Sequence, residues 1–175
     1  LKMTLALSGF RLRDFELFHK FHHTRWERDG SEVRWDVGVP KWDGRPLPDQ
    51  AVLIYSEQGV GDHIMWASFL PAVQSRATRV FFETNARLNS LLARSFPEYA
   101  VVTREHLPAN WSTRAIGGVA SAADIPELMD LSFDAVPGRD GFLIPDPALV
   151  QKLRARYQAM FPGKKLIGIS WRSGN

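Results

Sequence analysis

From Ala51 onward the chain alternates short apolar runs with amphipathic stretches, and this alternation limits the fold more than any other feature. The run Ala51–Tyr55 (AVLIY) is apolar throughout and β-branched at Val52 and Ile54. That pattern suits a short strand buried on both faces. The spacing then predicts a helix over Asp62–Ser75, a strand over Arg79–Glu83, and a helix over Arg87–Phe96 stopped by Pro97. A third strand is expected at Tyr99–Thr103, a fourth at Ser112–Ile116 and a helix over Ser121–Asp130. Asp146–Met160 reads as a helix with Pro147 in its first turn and Pro162-Gly163 beyond its end. Lys165–Trp171 (KLIGISW) reads as a final strand.

Strands that alternate with helices imply a parallel sheet joined by right-handed crossovers. The expected class is α/β: a Rossmann-like parallel sheet flanked by helices, with Ala51–Tyr55 central. Residues 1–28 differ. Leu5, Leu7, Phe10, Leu12, Phe15, Phe18, Phe21 and His22 recur at mostly helical spacing, and Gly9 with Arg11–Asp14 marks a turn between two helices. Between them and the sheet, Pro40, Gly44, Pro46 and Pro48 break regular structure. Trp35 and Trp42 in this connector are expected to be buried, since exposed rings leave a large apolar area in water. The expected organisation is a helical fragment at 1–29, a Pro- and Trp-containing connector at 30–50, and a Rossmann-like domain at 51–171. Residues 172–175 would begin a linker to a second domain. The chain opens on Leu1 rather than Met, which reads as a piece of a longer protein.

Composition excludes several classes. At 175 residues, 45% apolar and 23% charged, the chain has room for one domain with a fragment and the makeup of a globular protein. There is no Cys, so no disulfide or thiolate chemistry is available, and the cytoplasm is the default home. Leu1–Phe10 lacks the apolar core and cleavage site of a signal peptide, and no apolar run reaches membrane-spanning length. The net charge is +3, with acids and bases interleaved. Without a basic stripe, no nucleic-acid partner is expected.

Three places carry possible chemistry. The first is the loop Ser56-Glu57-Gln58-Gly59-Val60-Gly61-Asp62-His63, at the carboxyl end of the first strand, where ligands bind in open α/β sheets. Gly59 and Gly61 allow close backbone approach, but Ile64 stands where a dinucleotide fingerprint needs its third glycine, and no Walker lysine follows. Asp62 reads either as a helix cap or as a general base toward an acceptor hydroxyl. The second is the trio His19, His22 and His23, of which His19 and His23 share a helix face with Glu16 nearby. A packing face is the plainer reading, because a metal site needs three or four ligands. The third is Trp171–Asn175, where Arg172 suits a phosphate or sugar contact, or simply leads out of a strand.

Pro40–Leu47 (PKWDGRPL), Glu57–Asp62 (EQGVGD) and Gly168–Gly174 (GISWRSG), with Leu12–Trp26 and Arg87–Pro97, resemble bacterial tetratricopeptide-repeat proteins that carry a glycosyltransferase-like domain after the repeats. That family is similar to heptosyltransferases and O-linked N-acetylglucosamine transferases, whose two Rossmann-like domains face each other in the GT-B arrangement. The resemblance implies that this chain is the last repeat helices plus the N-terminal, acceptor-side half. It implies sugar transfer from a nucleotide-sugar to an acceptor hydroxyl, metal-independent and inverting, with no cofactor other than the donor substrate. Asp62 matches the family's proposed base. Glu57, Gln58, Gly59, Gly61, His63 and Arg172 would contact substrate. A protein partner would bind through upstream repeats, and neither nucleic acid nor membrane is implied. The alternative is a non-catalytic interaction scaffold with a degenerate transferase domain.

Overall fold

A computed structural model describes residues 1–27, 35, 37–106, 115–132 and 141–169. Ala51–Tyr55 forms strand β1, buried at every position as its unbroken apolar run requires. It lies between β2 (Val80–Glu83) and β4 (Ile116–Ser121), and β3 (Ala100–Val102) pairs with β2. All pairings are parallel and the order is β3-β2-β1-β4. The chain is therefore an α/β, Rossmann-like sheet with β1 central. The expected strand at 112–116 lies mostly outside the described residues, and β4 starts at its last residue.

The helices between strands are shorter than the sequence pattern suggests. Helix α3 covers Val60–Ala67, and the chain then continues in 3₁₀ turns at Leu70–Ala72 and Gln74–Arg76. Pro71 is the cause, because it brings no N–H and its ring clashes one turn back. Pro126 acts similarly after β4, where a 3₁₀ turn at Ala122–Asp124 leads into the short α5 (Ile125–Leu128). Helix α4 (Ala86–Ser95) lies between β2 and β3, and its Asn85 cap accepts from Arg87 N–H at 2.9 Å.

At the amino end, α1 (Lys2–Arg11) and α2 (Phe15–His22) form the expected hairpin, followed by a 3₁₀ turn at His23–Glu27. Gly9 lets the two helices touch: a Cβ there would lie 2.6 Å from Phe18 N. Successive β1 side chains point to opposite faces. On one face Val52, Ile54 and Phe82 pack in a core with Trp66, Leu70, Leu92 and Phe96, and Phe15 and Phe18 of α2 belong to it. On the other, Leu53, Tyr55, Phe81 and Val119 are covered by Trp26, Trp35, Val37 and Val39. Trp42 is 2% exposed. Trp35 is half-buried, its ring edge-on to Tyr55 at 6.3 Å.

Leu1–Leu143, helical hairpin and connector included, is one unit, and Ile144–Asn175 is a second. The second unit carries helix α6 (Pro147–Met160), capped by Asp146 through Leu149 N–H at 3.1 Å. Residues 165–169, expected to begin a final strand, are not in a strand, and Leu166, Ile167 and Ile169 are exposed. A strand needs a hydrogen-bonding neighbour, and α6 is the unit's regular element among the described residues. No described helix is long and apolar enough to cross a membrane.

Candidate functional site

The loop after β1 and the ends of β2 and β3 open at the same edge of the sheet, its carboxyl edge. There Ser56, Gln58, His63, Glu83, Thr84, Asn85, Ala86, Arg104 and Glu105 line a pocket of about 290 Å³. That is the small end of ligand-pocket volumes, which run from about 300 to 1,000 Å³. In parallel α/β sheets this edge is where ligands bind.

Glu83 is the last residue of β2, and its carboxyl group is the best-buried charge in the pocket, at 4% exposure. Oε2 accepts from Ser56 N–H at 3.2 Å and Oε1 from Arg104 Nε at 3.2 Å. Burial raises its pKa above the usual carboxylate value, opposed by the charge and hydrogen bond of Arg104 and by the Ser56 N–H. Arg104 follows β3 in a turn closed by His106 N–H to Thr103 O at 3.1 Å. Its guanidinium lies over the Trp35 ring at 5.2 Å from the centroid. His63 is buried, and its Nδ1 accepts from Asn85 N–H at 3.3 Å and lies 3.1 Å from Thr84 Oγ1. An accepting Nδ1 puts the ring proton on Nε2. Ser56 is 1% exposed, and among the described residues its Oγ has no hydrogen-bond partner.

Of the other residues expected from the sequence, Gln58 also lines the pocket, and the rest go to different places. Glu57 is buried at 3% exposure and clamped by Arg25, whose Nη2 and Nε donate at 2.7 and 3.0 Å. Ser121 Oγ also donates to Glu57, and Arg25 Nη2 reaches Asp124 at 2.6 Å. Glu57 therefore locks the helical segment to the loop after β1, and is walled off from solvent. Gln58 is exposed and takes φ +69°, a left-handed conformation that costs a residue with a Cβ roughly 1–2 kcal/mol. The strain falls on Gln58, whereas Gly59 has φ −85°. Gly61 has open space at its Cβ position. Asp62 is half-buried in the first turn of α3, and its Oδ2 accepts from Gly59 N–H at 2.9 Å. This is the capping arrangement, and Asp62 is not among the residues lining the pocket. Arg172 lies outside the described residues.

His19 and His23 line an open cleft of about 1230 Å³ with Glu127 and Asp130. His19 stacks on Phe15 with 9° between the rings, and burial lowers its pKa despite the nearby Glu127, Asp124 and Asp130. No group of three metal-ligating side chains occurs among the described residues. His22 stacks on Phe18 and takes a hydrogen bond from Arg25 Nη1 at 3.1 Å. Burial and the adjacent Arg25 charge push its pKa down to about 3.

Glu83 and Arg104 were missed in reading the sequence. The available signal was an acid ending an otherwise apolar strand, RVFFE, because a charge at the end of a buried strand needs a partner.

No protein-family profile matches the chain, and no solved structure does. Protein FlbA of Caulobacter vibrioides is 30% identical to it over 155 residues. The match takes in 80% of this chain and 26% of FlbA, so the chain spans a minor part of that protein's length.

Proposed function

We propose that this chain is the N-terminal, acceptor-side half of a glycosyltransferase-like protein. A sugar would pass from a nucleotide-sugar to an acceptor hydroxyl, without metal and with inversion, and a second Rossmann-like half would hold the donor. The observation that carries the reading is the polar pocket at the carboxyl edge of the parallel sheet, with Glu83 and Ser56 in its wall. In this reading the pocket receives the acceptor. Asp62, one helical position before the pocket residue His63, is the candidate base. The bond from Gly59 N–H to Asp62 favours the second reading, an interaction scaffold with a degenerate transferase domain.

One experiment separates the two. The full-length protein is incubated with a panel of nucleotide-sugars and release of nucleoside diphosphate is followed. A transferase turns over, and Asp62→Asn lowers its rate about 10²–10⁴-fold, the usual contribution of a general base. Turnover unchanged in Asp62→Asn rejects Asp62 as base, and no release from any donor favours the scaffold. Residues 1–175 alone should transfer nothing.

A further inference from the structure

The pocket's chemistry can be read independently of catalysis. Its wall is polar at every strand end, so it does not suit an apolar ligand. Its charged groups are Glu83 and Glu105 against Arg104, a formal balance of two negatives to one positive if all are ionised. An anion would meet that negative excess and would compete with Glu83 for Arg104. A cation would meet the Arg104 guanidinium, already seated on Oε1 of Glu83. A neutral hydroxyl avoids both conflicts, because it donates one hydrogen bond and accepts two.

The wall offers both roles. Each oxygen of an ionised carboxylate can accept about two hydrogen bonds, and Glu83 receives one side-chain-directed donor on each, Ser56 N–H and Arg104 Nε. Ser56 belongs to the same wall, and its Oγ is buried and unpartnered among the described residues. A buried hydroxyl without a partner costs stability, and such exceptions call for an explanation. A ligand that completes its hydrogen bonding supplies one. Asn85 and Ala86 bring the start of α4 into the lining, where Asn85 already takes the Arg87 and Leu88 N–H groups.

We propose that the pocket binds a neutral polyhydroxyl compound, a single sugar ring or a residue of comparable size, through hydroxyls that donate to Glu83 and pair with Ser56 Oγ. The inference rests on the transferase reading only in making this compound the acceptor. Binding itself requires no transfer.

The test is an amide NMR titration of the chain. The probes are methyl glucoside and N-acetylglucosamine, with inorganic phosphate and methylammonium as charged comparisons. Saturable shifts should appear with a neutral sugar at Ser56–Gly59 and Asn85–Arg87. Glu83→Gln should weaken that binding about tenfold or more, the usual effect of losing a hydrogen bond to a charged group. Ser56→Ala should weaken it several-fold, roughly one neutral hydrogen bond, while melting at or above the wild-type temperature. The Ser56 variant keeps the proposal testable if Glu83→Gln fails to fold. Saturation by phosphate or methylammonium alone, no saturable shift with either sugar, or unchanged sugar affinity in Ser56→Ala would each overturn the proposal. Sugar binding without nucleoside diphosphate release in the full-length protein would instead sink the transferase reading and leave the site standing.

Discussion

Arg25–Glu57 and Arg104–Glu83 put the same chemistry at the same edge of the same sheet. In the first pair the side chains are 5% and 3% exposed, and Asp124, Ser121 and His22 complete the shell. In the second, the Glu83 side chain is 6% exposed but that of Arg104 is 38% exposed, and its neighbours line a pocket. The closed pair joins the N-terminal helices to the loop after β1, bridging 32 positions of sequence. The open pair holds a carboxylate where a ligand can reach it. An ion pair sealed from solvent can only hold structure, and one that stays open to a pocket can also bind.

The largest expected effect is at the closed pair. Arg25→Met should cost about 3–5 kcal/mol, since it strands the buried Glu57 charge. Urea denaturation measures this, and a loss under about 1 kcal/mol would mean that water reaches Glu57 and the pair is not closed.

The two clusters should also respond to pH with opposite signs. The folded-state pKa of His22 is depressed from 6.5 to about 3, so its contribution is present above pH 6.5 and is lost as pH falls toward 3. The folded-state pKa of Glu83 is raised above 4.5, so its contribution is present below pH 4.5 and is lost as pH rises through the folded value. Denaturation across pH in His22→Gln and Glu83→Gln would separate them. The first variant should flatten the acid-side loss, and the second should flatten the loss beginning above pH 4.5. A His22 variant as acid-sensitive as the wild type would break the contrast.

Smaller effects sharpen the comparison. Gln58→Gly should raise stability by about 1 kcal/mol by relieving the left-handed strain between the two pairs. A destabilised variant would show instead that the Gln58 side chain contributes more than its backbone costs. Arg104→Ala should cost under about 1 kcal/mol, as partly exposed pairs do. If denaturation showed a loss near that of Arg25→Met, the open pair would be as structural as the closed one.

The sheet was legible because β1 is an uninterrupted apolar run and β2 is apolar up to Glu83, the pattern of strands buried on both faces. The helical hairpin was legible from Phe15, Phe18 and His22. Helix ends were misjudged where apolar spacing was followed through Pro71 and Pro126. Strand β4 was displaced because Gly117 and Gly118 do not look like strand residues. Gly118 is needed for contact, since a Cβ there would lie 2.8 Å from Trp42 Cβ. The pocket was half legible. Loop 56–63 was found, but Glu83 and Arg104 are 21 positions apart and meet only when β2 and β3 pair. The signal of Glu57 was real, but its partner Arg25 lies in a different element and makes it structural.

The Trp42 contact has a further consequence. Pro40 and Trp42 lie along β4, where Val119 N–H donates to Pro40 O at 3.0 Å and Trp42 N–H to Val119 O at 2.8 Å. Strand β4 is the longer of the two outer strands, and a bare outer strand is a template for joining another chain. The connector thus covers part of the outer edge of β4. Gly118→Val should lift Trp42 and loosen that shield, and light scattering should then report association that grows with concentration. A variant that associates no more than the wild type would show that the connector is not what guards β4.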